Sequence, residues 1–189
     1  MKEEYLNGVK KQFRYYKLLA DKTFDQLTIE QLYWKADESD NSIANLIMHL
    51  SGNMLSRWTD FFQSDGEKEW RKRDLEFEDR RLDRSELLNH WENGWDCFFN
   101  VLDSLKPEDL ERIVFIRNQG HTVIDAINRQ LAHYPYHIGQ IVYIGKTLLK
   151  HTWQSLSIPK GNSQTYNEHK FEQSKHNAHF TDEFLSDEK

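Results

Sequence analysis

Apolar residues recur every three or four positions along four long stretches of this chain, with charged and polar residues filling the intervals. Leu6, Val9, Phe13, Tyr16 and Ala20 form the first stripe, and such spacing predicts a helix with one face turned to a core. A polar loop with Thr28, Asp37, Asp40 and Asn41 follows. Ser42 then stands where an N-cap belongs, and Ile43, Ile47, Leu50, Met54, Trp58 and Phe61 mark a second helix ending at Ser64-Asp65-Gly66. Asp83 and Glu86 have capping-box spacing and open a third helix, striped by Leu88, Trp91, Trp95, Phe98, Leu102 and Leu105 and stopped by Lys106-Pro107. Thr122 and Asp125 open a fourth, running to about Lys150 through Ile124, Ile127, Leu131, Tyr134, Ile138, Ile141, Gly145 and Leu148. Before it, Ile113–Ile116 is a short apolar run ending near Gly120, which reads as a strand or an irregular turn.

Four such helices predict an all-α fold, a four-helix bundle over residues 1–166 with a short irregular or extended segment before the last helix. Residues 65–83 carry dense charge of both signs around Trp70 and Phe77. That stretch reads as a solvated loop, with a lid or a dimer contact as the alternatives. Ile158-Pro159-Lys160-Gly161 reads as a packed turn, and residues 167–189 as a disordered acidic tail. The length, 189 residues, suits one domain with a real core, and the count of 25 Phe, Tyr and Trp (11, 8 and 6) offsets a modest 38% hydrophobic content. A formal charge of −6 disfavours a nucleic-acid partner. No apolar run reaches the length of a membrane span or a signal segment, and a single cysteine, Cys97, suits a reducing cytoplasm.

Candidate chemistry begins at His133-Tyr-Pro-Tyr-His137. Two histidines four apart on a helix project from one face, one turn apart, which lets one metal ion take both imidazoles. On a helical wheel the pair and Gln140 fall on the flank of the fourth stripe, where bundles line a seam between helices. Pro135, between the two, removes an amide and should kink the helix there. His49 lies far from the centre of the second stripe, grouped with Ser42, Asn45, Asn53 and Ser56. Three histidines from two helices could make a site with open positions for an anionic ligand. Arg57, Arg71, Arg73 and Arg117 could form a cationic rim over it, or pair structurally. Cys97 reads as a packed flank residue, and His169, His176 and His179 of the tail as opportunistic metal binders.

The segment Ser42-Ile-Ala-Asn-Leu-Ile-Met-His49-Leu-Ser-Gly-Asn53, together with His133-x3-His137-Ile-Gly-Gln140, resembles the DinB-like superfamily of metal-dependent four-helix bundles. The stretch from Arg57 to Glu78 and the later Ser157-Ile-Pro-Lys-Gly161 resemble one bacterial subfamily of it. The resemblance implies that His49, His133 and His137 bind one divalent metal, zinc or nickel, and that the chain is a homodimer. Relatives of this type include thiol S-transferases using bacillithiol or mycothiol and a mycothiol-dependent isomerase. A metal-dependent thiol S-transferase is therefore the leading expectation, with Asn45, Asn53, Arg57 and Gln140 as substrate contacts. A metal-hydroxide hydrolase and a non-catalytic, stress-associated metal-binding homodimer are the alternatives.

Overall fold

A computed structural model describes residues 1–185. Four long helices make the body: α1 (Lys2–Phe24), α3 (Ile43–Trp58), α4 (Arg84–Ser104) and α5 (Val123–Leu149), with a one-turn helix α2 (Ile29–Leu32) between the first two. α1 packs on α4 and α5, and α3 packs on the same two, so the four close a ring around one core. The fold is all-α apart from one short hairpin, as the stripes predict. No helix among the described residues is long and apolar enough to cross a membrane.

The starts of the helices are set by short-range chemistry. Ser42 with Asn45, Thr28 with Gln31 and Asp83 with Glu86 each exchange side-chain and backbone hydrogen bonds across the first turn, satisfying donors the helix cannot. Inside, Phe13, Trp58, Trp91, Trp95, Phe98 and Tyr134 are at most 1% exposed. Their rings meet edge to face, Phe13 on Phe98 at 4.6 Å and Phe98 on Tyr134 at 5.6 Å between centroids. Two of the buried indoles find partners, Trp91 Nε1 donating to Asp21 at 2.7 Å and Trp58 Nε1 to the Tyr134 hydroxyl at 3.1 Å, whereas Trp95 Nε1 has none among the described residues.

Several boundaries differ from the sequence reading. α3 stops at Trp58, not at Ser64–Gly66, because Thr59 turns extended and Asp60 takes φ +49°, which folds Phe61 back to stack on Trp58 at 4.6 Å. On α4 it is Leu87, not Leu88, that is fully buried. The apolar run Ile113–Ile116 (β1) is a strand, and it pairs antiparallel with Gln119–Thr122 (β2). Arg117 and Asn118 connect them with φ of 55° and 61°, the two-residue turn whose twist suits a hairpin. α5 then continues through Pro135 as one helix. Ile158–Gly161 is a turn, closed by the Asn162 amide on the Pro159 carbonyl, but it is exposed and not packed.

The segment after residue 162 carries secondary structure. Residues 163–171 form helix α6 (Ser163–Phe171), and Asp182–Leu185 forms a final turn, α7, that returns to the outer side of α1. Phe180 and Phe184 meet Tyr15, Asp182 pairs with Lys11 at 2.6 Å, and Thr181 is fully buried. Phe180 and Phe184, among the few apolar residues of this acidic segment, meet one patch on α1. Residues 186–189 lie outside the described part of the chain.

Candidate metal centre

The segment between α3 and α4 does not float in solvent. It crosses the outer face of α3 through a 3-10 turn at Arg73–Phe77 and seals it, with Glu76 and Arg71 buried beneath. Gly52 makes the crossing possible: a Cβ there would collide with the Glu76 carboxylate. This strap explains why His49, far from the core stripe, is only 5% exposed. The His49 ring lies against Phe77, 4.9 Å between centroids.

His133 and His137 reach the same point from α5. His49 Nε2 is 3.3 Å from His133 Nε2, and His137 Nε2 is 3.1 Å from it. One ring nitrogen from each of the three lies within 4.8 Å of the others. The opposite nitrogen of every ring faces a side-chain oxygen. His49 Nδ1 meets Glu76 Oε2 at 2.9 Å, His133 Nδ1 meets Gln130 Oε1 at 3.4 Å, and His137 Nδ1 meets Gln140 Oε1 at 3.1 Å. A carboxylate only accepts, so His49 carries its proton on Nδ1, and the glutamine oxygens favour the same tautomer in the other two. Three Nε2 lone pairs then converge with no proton between them. That arrangement is repulsive by itself and is the donor set a divalent cation takes from neutral imidazoles.

The local field reinforces it. Burial, with the neighbouring His137, His49, Arg71 and Arg129, pushes His133 down to about 3, and burial also lowers His137 despite its bond to Gln140. Both shifts favour the neutral imidazole, the form a ligand must take. Burial alone would raise the Glu76 carboxyl. Hydrogen bonds from His49 and Arg71 outweigh it and hold Glu76 below the usual carboxylate range. Arg71 grips that carboxylate with two parallel bonds, Nε to Oε1 at 2.8 Å and Nη2 to Oε2 at 3.0 Å. Among the described residues no Cys, Asp or Glu joins the three histidines.

Gln140 is thus where the sequence placed it, against His137. The other three polar candidates sit elsewhere. Asn45 is spent on the α3 cap and on the Glu78 carbonyl, and Asn53 accepts the Tyr134 hydroxyl at 3.3 Å. Arg57 is held by the Gly66 carbonyl and by Glu67, and Arg117 joins it on Glu67. Arg73 lies over the Phe77 ring and Arg71 backs Glu76, so the four arginines are structural partners and do not close as a rim. Cys97 is half-buried near Thr59, and His169, His176 and His179 stay apart from the triad. Two members of the site escaped the sequence reading, Glu76 and Gln130. Gln130 did leave a signal: it precedes His133 by three residues as Gln140 follows His137 by three.

Bundle and triad define the class: an all-α protein with three histidines from two helices able to hold one metal ion, each ring braced from behind by a side-chain oxygen. Within that class the chain belongs to the family described as "Protein of unknown function (DUF1572)", which matches residues 1–162. No curated protein and no solved structure matches it.

Proposed function

We propose that this protein is a divalent-metal-dependent enzyme of the DinB-like type, a thiol S-transferase joining a low-molecular-weight thiol such as bacillithiol to a small electrophile. The observation that carries the reading is the convergence of three bare Nε2 atoms, each ring fixed by an oxygen on its other side. His49, His133 and His137 would hold the ion, zinc or nickel. Such an ion, when bound, supplies Lewis acidity that keeps a thiol deprotonated at neutral pH. The chain's own groups do the rest. Glu76, Gln130 and Gln140 hold the rings in register, and burial keeps His133 unprotonated. Three protein ligands leave room for a substrate, as catalytic sites require and closed structural sites do not. The positive charges of Arg71 and Arg129, both felt at His133, favour an anionic ligand. Gln140 remains in the proposal as a group near the reacting substrate, whereas Asn45, Asn53 and Arg57 are engaged inside the protein. The family resemblance adds a homodimer, and the single cysteine adds a reducing cytoplasm as the place of work.

Elemental analysis of the full-length, tagless protein tests the site. About one ion per chain is expected, lost in both His133→Ala and His49→Ala, because the tail histidines persist in both variants. An ion-free parent, or metal retained in both variants, removes the triad. Metal-dependent consumption of bacillithiol with a haloaromatic electrophile is then the expected activity. Its absence in loaded protein turns the reading to the hydrolase or the non-catalytic homodimer.

A further inference from the structure

Behind Glu76, on the side away from the triad, the strap, α3 and α4 enclose a cavity of about 550 Å³. None of the three histidines lines it. Its size lies in the range of small-molecule sites, and its walls are mixed in the manner of such sites. Tyr33, Met48, Leu55 and Trp70 supply apolar and aromatic surface, with Trp70 55% exposed. The polar side is what distinguishes the cavity from a packing defect. Arg71 lines it with a side chain only 3% exposed. Its Nε and Nη2 are committed to Glu76, and Nη1 has no acceptor among the described residues. Nη1 keeps contact with solvent, so its two donors are free to be taken over by an acceptor in the cavity. Lys72 and Arg80 also line it, against one further carboxylate, Glu78, and none of these three makes an ion pair among the described residues, so positive charge exceeds negative there.

We infer that this cavity is a binding site for a small amphipathic carboxylate, its anionic end on Arg71 Nη1 and its ring or chain between Trp70, Tyr33 and Met48. Arg71 is also the far end of the chain Arg71–Glu76–His49, so occupancy is felt at the triad. An anion on Arg71 offsets the guanidinium charge. Glu76 then accepts more strongly from His49 Nδ1–H, making Nε2 a better donor, and a cation that repels a metal at the triad is screened. Both effects have one sign: ligand and metal strengthen each other's binding, and by linkage the factor is the same in both directions. The carboxylate site stands without the metal, whereas the coupling rests on the metal reading proposed above.

Calorimetric titration with 2-naphthoate, and with neutral 2-naphthamide as its charge-free counterpart, decides the matter on the full-length protein. Naphthoate is expected to bind once per chain and naphthamide about tenfold more weakly, the value of one charge-assisted contact. Arg71→Gln is expected to abolish that preference. Because this variant also strips Glu76 of its partner, Leu55→Trp serves as the second: it fills the cavity, leaves the ion pair alone, and is expected to abolish binding of both probes. Equal affinity for the two probes, or naphthoate binding that survives Leu55→Trp, overturns the site. Zinc-loaded protein is expected to bind naphthoate about threefold more tightly than metal-free protein, and an unchanged affinity overturns the coupling. Zinc uptake is measured in the same samples, so failure of the triad shows as no uptake while the metal-free titration still decides the cavity.

Discussion

Glu76 is the residue on which the candidate centre turns. It accepts from His49 Nδ1 at 2.9 Å while Arg71 holds both of its oxygens, so it fixes the ring's tautomer and its aim together. Glu76→Gln keeps the shape and an accepting oxygen but removes the charge. It should weaken zinc binding about tenfold or more, as loss of a ligand's hydrogen-bonded partner does, measured by competition with a chromophoric chelator. Unchanged zinc affinity with the fold intact would show that Glu76 serves the strap alone. The sequence made the histidines legible because two lay one turn apart on a flank and His49 stood off its own stripe. It could not make Glu76 legible, since its 27-residue separation from His49 has no periodicity and the strap's charges all look solvated. Asn45 and Arg57 misled for the same reason in reverse. A polar residue near a ligand in sequence resembles a substrate contact until its cap or ion pair is seen.

At the scale of elements, the hairpin shows what patterning finds and what it misses. β1 was legible as an apolar run. β2, Gln119–Thr122, has only Thr122 as a strand former, and the turn uses Arg117 and Asn118 where Gly is the usual signal. Asp65 explains how so weak a turn is held. Its Oδ1 accepts the Glu67 and Arg117 amides at 2.7 and 2.8 Å, and its Oδ2 accepts the Asn118 amide at 2.8 Å. Burial would raise this carboxyl, but the backbone donors outweigh it and hold it below its ordinary 3.8. A depressed carboxyl contributes stability that is fully present above the unfolded-state value and is lost as pH falls through the lower folded-state value. Asp65→Ala should therefore cost about 1–2 kcal/mol at neutral pH, the low end for charge-assisted bonds because the group is partly exposed. The gap from the parent should begin to narrow below about pH 4 and close once the pH has passed the lower folded-state value. Urea unfolding at pH 7 and pH 3 measures it. A gap that persists unchanged at pH 3 would mean that the carboxylate's charge plays no part.

For the whole molecule, the tail sets a test of how far the bundle is self-sufficient. The family match ends at residue 162, and the segment beyond it is acidic and poor in aliphatics, so composition reads it as disordered. Composition averages over residues, whereas docking needs only a few well-spaced ones. Phe180, Thr181 and Phe184 supply them, and Tyr15 on α1 receives them beside the Lys11–Asp182 pair. The contact lies on the outer side of α1, while the triad is built from α3 and α5 and braced by the strap. Ending the chain after Tyr166 removes α7 and uncovers Tyr15 without touching a ligand or its brace. The apolar area lost corresponds to about 2 kcal/mol, since Phe180 and Phe184 are only partly covered. For a chain of this length that lowers the thermal midpoint by about 4–8 °C. Metal content per chain should stay as in the full-length protein. Differential scanning calorimetry and elemental analysis on the same pair of samples separate the two effects. A midpoint unmoved by truncation would show that α7 does not grip α1 in solution, and a loss of metal with the tail would place His169, His176 or His179 among the true ligands.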